Sequence, residues 1–231
     1  MERLFHGYQV NYFTSNNDVS ATPPILGALL SQLSTMSLLP TFGQELNPMT
    51  GEKRKVVIMT DSNETFRIEF VSNTVIFQGG GENAEEFFNK VEMAMGILKN
   101  IFPEKKANRL AFLSSTFYRD SAAKYDELYK SLFTHHKANP IEWDNRIVER
   151  DFLEDSGEET NFVSVIKRCM IRASFIDGGD QVDVINIEVD TNTIPENDTY
   201  RFDFDSALKI MRELLNKNVK LMGSFARYTN S

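Results

Sequence analysis

Asp177, Asp180, Asp183, Glu188 and Asp190 are the densest carboxylates that the sequence places on regular structure and its turns. Oxygen ligands gathered in this way are what a hard divalent cation requires. Glu188 and Asp190, in "VINIEVDTNT", sit two apart, so an extended chain puts both on one strand face with Asn186. They are the candidate metal pair, and a divalent-metal-dependent hydrolase or nuclease is the chemistry they would serve. A nuclease-type site normally sets a lysine beside such acids, and this segment has none at the usual spacing after the acid. The leading expectation is therefore a chain without catalytic residue, metal or cofactor.

Other chemistry-bearing types give less. Cys169 is the single cysteine, which permits neither an internal disulfide nor a cysteine-based zinc site. In "VSVIKRCMIRASF" its parity groups it with Val163, Val165, Ile171, Ala173 and Phe175, the pattern of a small buried hydrophobe. His135 and His136 are adjacent and point apart on regular structure. His6 stands alone, and no HExxH pattern exists. Gly79 to Gly81 precede a helix, but Glu82, Glu85 and Glu86 would repel phosphate there, and no Lys-Ser or Lys-Thr pair follows. The reading is a strand-to-helix turn.

Arg67, Arg109, Arg168 and Arg172 are the binding candidates. In "FPEKKANRLAFLSSTFYRD", Lys105 and Lys106 follow a helix C-terminus, where positive charge complements the dipole. Arg109 opens a strand in apolar surroundings and is placed to pair with a carboxylate or reach a ligand. Arg67, Arg168 and Arg172 would serve nucleic-acid binding across a saddle-like sheet. A net charge of −8 disfavours that reading, because phosphate contacts are made mainly by Lys and Arg.

The elements that must position these residues follow from periodicity. Leu4 to Thr14 predicts a strand, and Thr22 with Pro23 starts a helix carrying Ile25, Leu29, Leu33 and Met36. Leu39 to Glu52, rich in Pro and Gly, predicts a loop. Arg54 to Thr60, Thr65 to Val71 and Thr74 to Gln78 predict three strands, the middle one alternating Phe66, Ile68 and Phe70 with Arg67 and Glu69. Asn83 caps a helix whose apolar stripe runs from Phe87 to Phe102. The second half predicts a strand at Arg109 to Tyr118, a helix at Ala122 to Phe133 and a strand at Ile141 to Arg150. A hairpin of Phe162 to Phe175 with Gln181 to Asp190 and a last helix from Phe204 follow. Leu153 to Asn161 predicts an acidic loop.

Residues 1–104 and 105–231 thus each read as a β-α-β-β-β-α module, a pseudo-repeat of pattern rather than of letters, forming one compact unit. The implied class is α+β, an antiparallel sheet with helices packed on one face. At the level of pattern this is comparable to the TATA-box-binding proteins, an analogy that carries no function. A hydrophobic fraction of 41% supports a real core, and 18 phenylalanines make it aromatic-rich. The longest apolar stretch, Ile25 to Leu39, is interrupted by polar residues and too short for a membrane span. The N-terminus has no signal-peptide pattern. No membrane role and a cytoplasmic location are expected.

Three stretches, "FRIEFVSNTVIFQ", "FFNKVEMAMGILKNIFPEKKANRLAF" and "VINIEVDTNT", together resemble a sporadically distributed bacterial family of soluble α+β proteins without an established activity. The resemblance implies an accessory bacterial protein acting with partners encoded in its operon. The expected function is non-enzymatic binding of a protein partner or of a second copy, through the long loops or an exposed sheet edge. The hairpin register is expected to centre on Gly178, with Arg168 opposite Glu188, Arg172 opposite Val184, Cys169 facing Ile187 and Ile171 facing Ile185. That register sends Cys169, Ile171, Ile185, Ile187 and Val189 to the core and Arg168, Arg172, Asn186 and Glu188 to the other face.

Overall fold

The computed structural model describes residues 1–46, 48–81, 83–133, 138–173 and 176–229. The readings of His135, His136, Glu82, Phe175 and the Asp177 side chain lie outside the described residues.

Among the described residues, nine strands join one antiparallel sheet. The first half contributes β1 (Glu2–Phe13), α1 (Pro23–Leu33), β2 (Leu39–Leu46), β3 (Lys53–Thr60), β4 (Phe66–Val71), β5 (Thr74–Gly80) and α2 (Ala84–Ile101). The second contributes β6 (Arg109–Arg119), α3 (Ala122–Leu132), β7 (Trp143–Phe152), β8 (Glu159–Arg172), β9 (Gln181–Thr193), α4 (Phe204–Ser224) and the short α5 (Ala226–Thr229). The strand order is β2-β3-β4-β5-β1-β6-β9-β8-β7. In each half the first strand pairs with the last strand of the meander that follows, and β1 pairs with β6 at the centre.

The first half carries one strand more than expected. Leu39–Leu46, read as loop, pairs with β3 along its length. Pro40 removes an amide donor, but an edge strand needs donors on one side only, so proline is tolerated there. Glu45 fastens this edge by accepting from the Ser72 backbone N–H at 3.0 Å and its hydroxyl at 2.7 Å.

Strand alternation decides which face the helices cover. Tyr8, Val10 and Tyr12 of β1, Phe66, Ile68 and Phe70 of β4, and Ile185, Ile187 and Val189 of β9 are buried. They pack against Phe87, Phe88, Val91 and Met95 of α2, Leu214 and Leu215 of α4, and Tyr125 of α3. Each such side chain contributes roughly 1.5–3 kcal/mol through removal from water. The helices therefore lie on one face, and the core is aromatic-rich: Phe87 meets Phe112 edge-on at 6.2 Å, and Tyr12 stacks on Phe204 at 5.0 Å. Gly79 has a packing reason to be glycine, since a Cβ there would come within 2.9 Å of both the Phe87 ring and the Thr65 carbonyl.

Polar pins orient α4. The buried Asn218 amide donates to the carbonyls of Phe112 at 3.1 Å and Val189 at 2.9 Å, and accepts from the Ser114 hydroxyl at 2.6 Å. Tyr12 donates to the Lys105 and Phe202 carbonyls, and burial pushes its phenol well above the usual range. Among the described residues, no helix is long and apolar enough to cross a membrane.

The hairpin register differs from the expected one. Arg172 stands opposite Gln181, Cys169 opposite Val184 and Arg168 opposite Ile185. The connecting segment 173–180 is longer than a turn centred on Gly178 allows. Gly178 and Gly179, at φ 67° and 93°, sit near its far end instead. The β9 face assignments stand, with Ile185, Ile187 and Val189 in the core. On β8 the parity is reversed: Phe162 and Ile166 point to the helices, Arg168 goes with them, and Cys169 is half-buried on the opposite face.

Candidate functional site

The face opposite the helices is open, and the strand registers line up its side chains in rows. One row runs Arg67, Gln78, Gln9, Leu113 and Asp190, then reaches Val163 and Val148. The next places Ser115 opposite Glu188, Glu188 opposite Val165 and Val165 opposite Arg146. Residues from Arg67 on β4 to Arg146 on β7 border a single cleft of 1380 Å³, so this face is concave.

Side-chain amides hold the floor together. Arg67 donates to the Gln78 carbonyl oxygen at 2.8 Å, Gln78 donates to Gln9 at 2.6 Å, and Gln9 donates to Asn11 at 2.8 Å. Further along, Ser115 donates to Asn186 at 3.0 Å, and Asn192 donates to Asp190 at 3.0 Å while accepting from Arg109 at 2.9 Å. Amides both donate and accept, so such a floor can re-pair with polar groups of a ligand.

The carboxylate pair falls inside this cleft. Glu188 accepts a 2.7 Å ion pair from Lys167 of the neighbouring strand. The lysine absent from the linear spacing is thus supplied across the β8–β9 ladder. Burial, more than any other cause, pushes the Asp190 carboxyl above its ordinary range; Asn192, Arg109 and Arg146 oppose the rise and Glu188 adds to it. A raised folded-state value means that the folded protein holds this proton more readily than the unfolded chain. The associated stability is fully present below the unfolded value and is lost as pH rises through the folded one. Asp190→Asn is therefore expected to raise the melting temperature at neutral pH and to lessen the gain on acidification, as read by thermal melts across pH. A drop in melting temperature at neutral pH would contradict this. Among the described residues, no three His, Cys, Asp or Glu side chains gather as a metal-binding group.

The four candidate arginines do not converge. Arg67 lies on the open face, paired also with Glu69 at 2.8 Å. Arg109 lies on the same face over the Phe13 ring at 4.9 Å, with its Nε buried and without a hydrogen-bond partner. Arg168 is on the helix side, its side chain 11% exposed, paired with Asp183 at 2.8 Å and lying over Tyr125 at 5.1 Å. That hydrogen-bonded pairing raises its already high basicity further. Arg172 is exposed at the end of β8. Arg67 and Arg168, which the saddle reading joined, are thus on opposite faces. Cys169 has its thiol pushed up chiefly by burial, the opposite of an activated nucleophile.

Lys105 is not a dipole-complementing surface lysine. It is buried, and its ammonium donates to the Ser15 carbonyl at 2.8 Å, to Asn16 at 3.3 Å and to Asp18 at 2.7 Å. The residues that the sequence reading missed are Gln9, Gln78, Ser115, Arg146 and Lys167. The first four border the cleft and Lys167 pairs with Glu188 beside it, all only through strand pairing, and no local motif marks them. Both sheet edges are open and carry exposed apolar side chains, Leu39, Phe42 and Leu46 on β2 and Ile147, Val148 and Phe152 on β7.

No protein-family model matches the chain, and no curated protein matches it. Among solved structures the chain is similar to that of a rolling circle replication initiator protein from Geobacillus stearothermophilus, at 11% sequence identity and a TM-score of 0.31, with 98% of this chain and 84% of that chain covered. A superposition that loose carries no argument about function.

Proposed function

We propose that the protein is a non-enzymatic macromolecular-interaction protein that holds an extended segment of a protein partner across the concave sheet face, as an accessory subunit in the bacterial cytoplasm. The observation that supports this reading is the continuous cleft floored by amide and hydroxyl side chains, with arginines and carboxylates interleaved. An extended peptide offers amide donors and acceptors that such a floor pairs. A phosphate polymer would meet Glu69, Glu188 and Asp190 on the same surface, at a net chain charge of −8. Ser115→Trp fills the middle of the floor without touching the core. Pull-down from the native host with mass spectrometry is expected to recover a protein with the unaltered chain and to lose it with Ser115→Trp. If no recovered protein depends on Ser115, the reading fails; recovery of nucleic acid in its place transfers the cleft to that ligand.

A second reading rests on Glu188 and Asp190 bordering the cleft together. Magnesium is commonly held by one or two carboxylates plus substrate oxygens, so a divalent-metal hydrolase remains the competing function. Calorimetric titration with magnesium and manganese is expected to show no binding in the millimolar range. Glu188→Ala should cost under about 1 kcal/mol of stability, because its pair with Lys167 is partly exposed. Saturable metal binding abolished by Glu188→Ala would establish the metal reading instead.

A further inference from the structure

We propose that the β7 edge is a self-complementary docking strand for a second copy of this chain. β7 ends the sheet and pairs on one side only, with β8. Residues 146–152 are exposed at both parities, so among the described residues no helix covers either side of this stretch. Ile147 is 53% and Val148 48% exposed. Unpaired backbone groups flanked by apolar side chains are a template for another strand.

The charge pattern selects the occupant and the register. Two copies related by a two-fold axis normal to the sheet pair antiparallel and keep their open faces on one side, so only positions of equal parity meet. Pairing centred on Ile147 sets Asp144 opposite the partner's Arg150, Arg146 opposite the partner's Val148 and Ile147 opposite the partner's Ile147. A shift of two residues brings Arg146 against the partner's Arg150 in one direction and against the partner's Arg146 in the other. Opposite charges directly across a ladder stabilise it, and like charges do the reverse. The other edge, β2, carries Pro40 and lacks a donor there. In the dimer the row through Asp190, Val163 and Val148 continues onto the partner's Arg146, so two clefts become one longer concave face. The interface does not depend on what the cleft binds.

Sedimentation velocity on the purified full chain tests this directly. The unaltered protein is expected to sediment at twice its 26.4 kDa chain mass. Asp144→Arg and Arg150→Asp should each weaken the dimer by about tenfold or more, since each sets like charges across both symmetry-related pairs. The double charge swap should restore it. In a separate arm, Ile147→Cys should give an oxidised covalent dimer, because residues directly opposite lie within disulfide reach. All three substituted positions are exposed, and unchanged circular dichroism would show that each variant folds. A monomer at up to ~0.1 mM overturns the proposal. So do a dimer indifferent to both single variants, failure of the swap to restore it, and open-ended polymers.

Discussion

Ile187→Asp is expected to abolish cooperative folding. Ile187 has no exposed surface and stands between Thr116 of β6 and Ile166 of β8, beneath α3 and α4. A carboxylate there would lose its hydration with no cation to pair with, and its neutral form would still be an unpartnered polar group. The cost is about 4–5 kcal/mol or more, a large share of the roughly 5–15 kcal/mol that holds a domain folded. Near-ultraviolet circular dichroism should lose its tertiary signal, and the urea transition should broaden or vanish. Ile187→Val, which removes one methylene without adding charge, should cost only about 0.5–1.5 kcal/mol. A cooperative urea transition for Ile187→Asp within about 1 kcal/mol of the unaltered protein would show that β9 does not face the core as described.

Lys105→Met is expected to cost about 2–4 kcal/mol. The Lys105 side chain is only 4% exposed, and its ammonium bridges the loop between β1 and α1 to the segment joining α2 to β6. Removing it strands the Ser15 carbonyl and the fully buried Asn16 side-chain oxygen. Asp18 is half exposed and can be rehydrated, so the charge itself is the smaller part of the loss. Lys105→Arg should rescue poorly, since a planar fork does not reproduce three divergent contacts of a compact ammonium. Urea midpoints at unchanged slope would measure this; a change below about 0.5 kcal/mol would make the bridge incidental.

The fold was legible where one side of an element is apolar. β4 alternates strictly, α2 carries one stripe and an Asn83 cap that accepts from Glu85 N–H at 2.9 Å, and both were readable in sequence. β8 was not, because Phe162 and Ile166 on one parity compete with Val163, Val165 and Ile171 on the other. A strand apolar on both sides gives no parity signal, and the half-shielded concave face is what permits it. The β7 edge was anticipated only as a generic exposed edge, since its openness is a property of strand order. The cleft was illegible for the same reason: Gln78, Gln9, Ser115 and Arg146 come from four strands scattered over the chain. Only Arg67, alternating with Glu69 on β4, and Glu188 and Asp190, two apart on β9, left a local trace.

The proposed function requires a protein segment to lie across the open face of the sheet. A photo-activated benzophenone side chain placed at Gln78, on the cleft floor, and in a separate variant at Lys209, exposed on the outer side of α4, tests it by position in the native host. A protein adduct is expected from position 78 and none from position 209. Adducts from position 209 alone, or an adduct from position 78 made of nucleic acid, would contradict it.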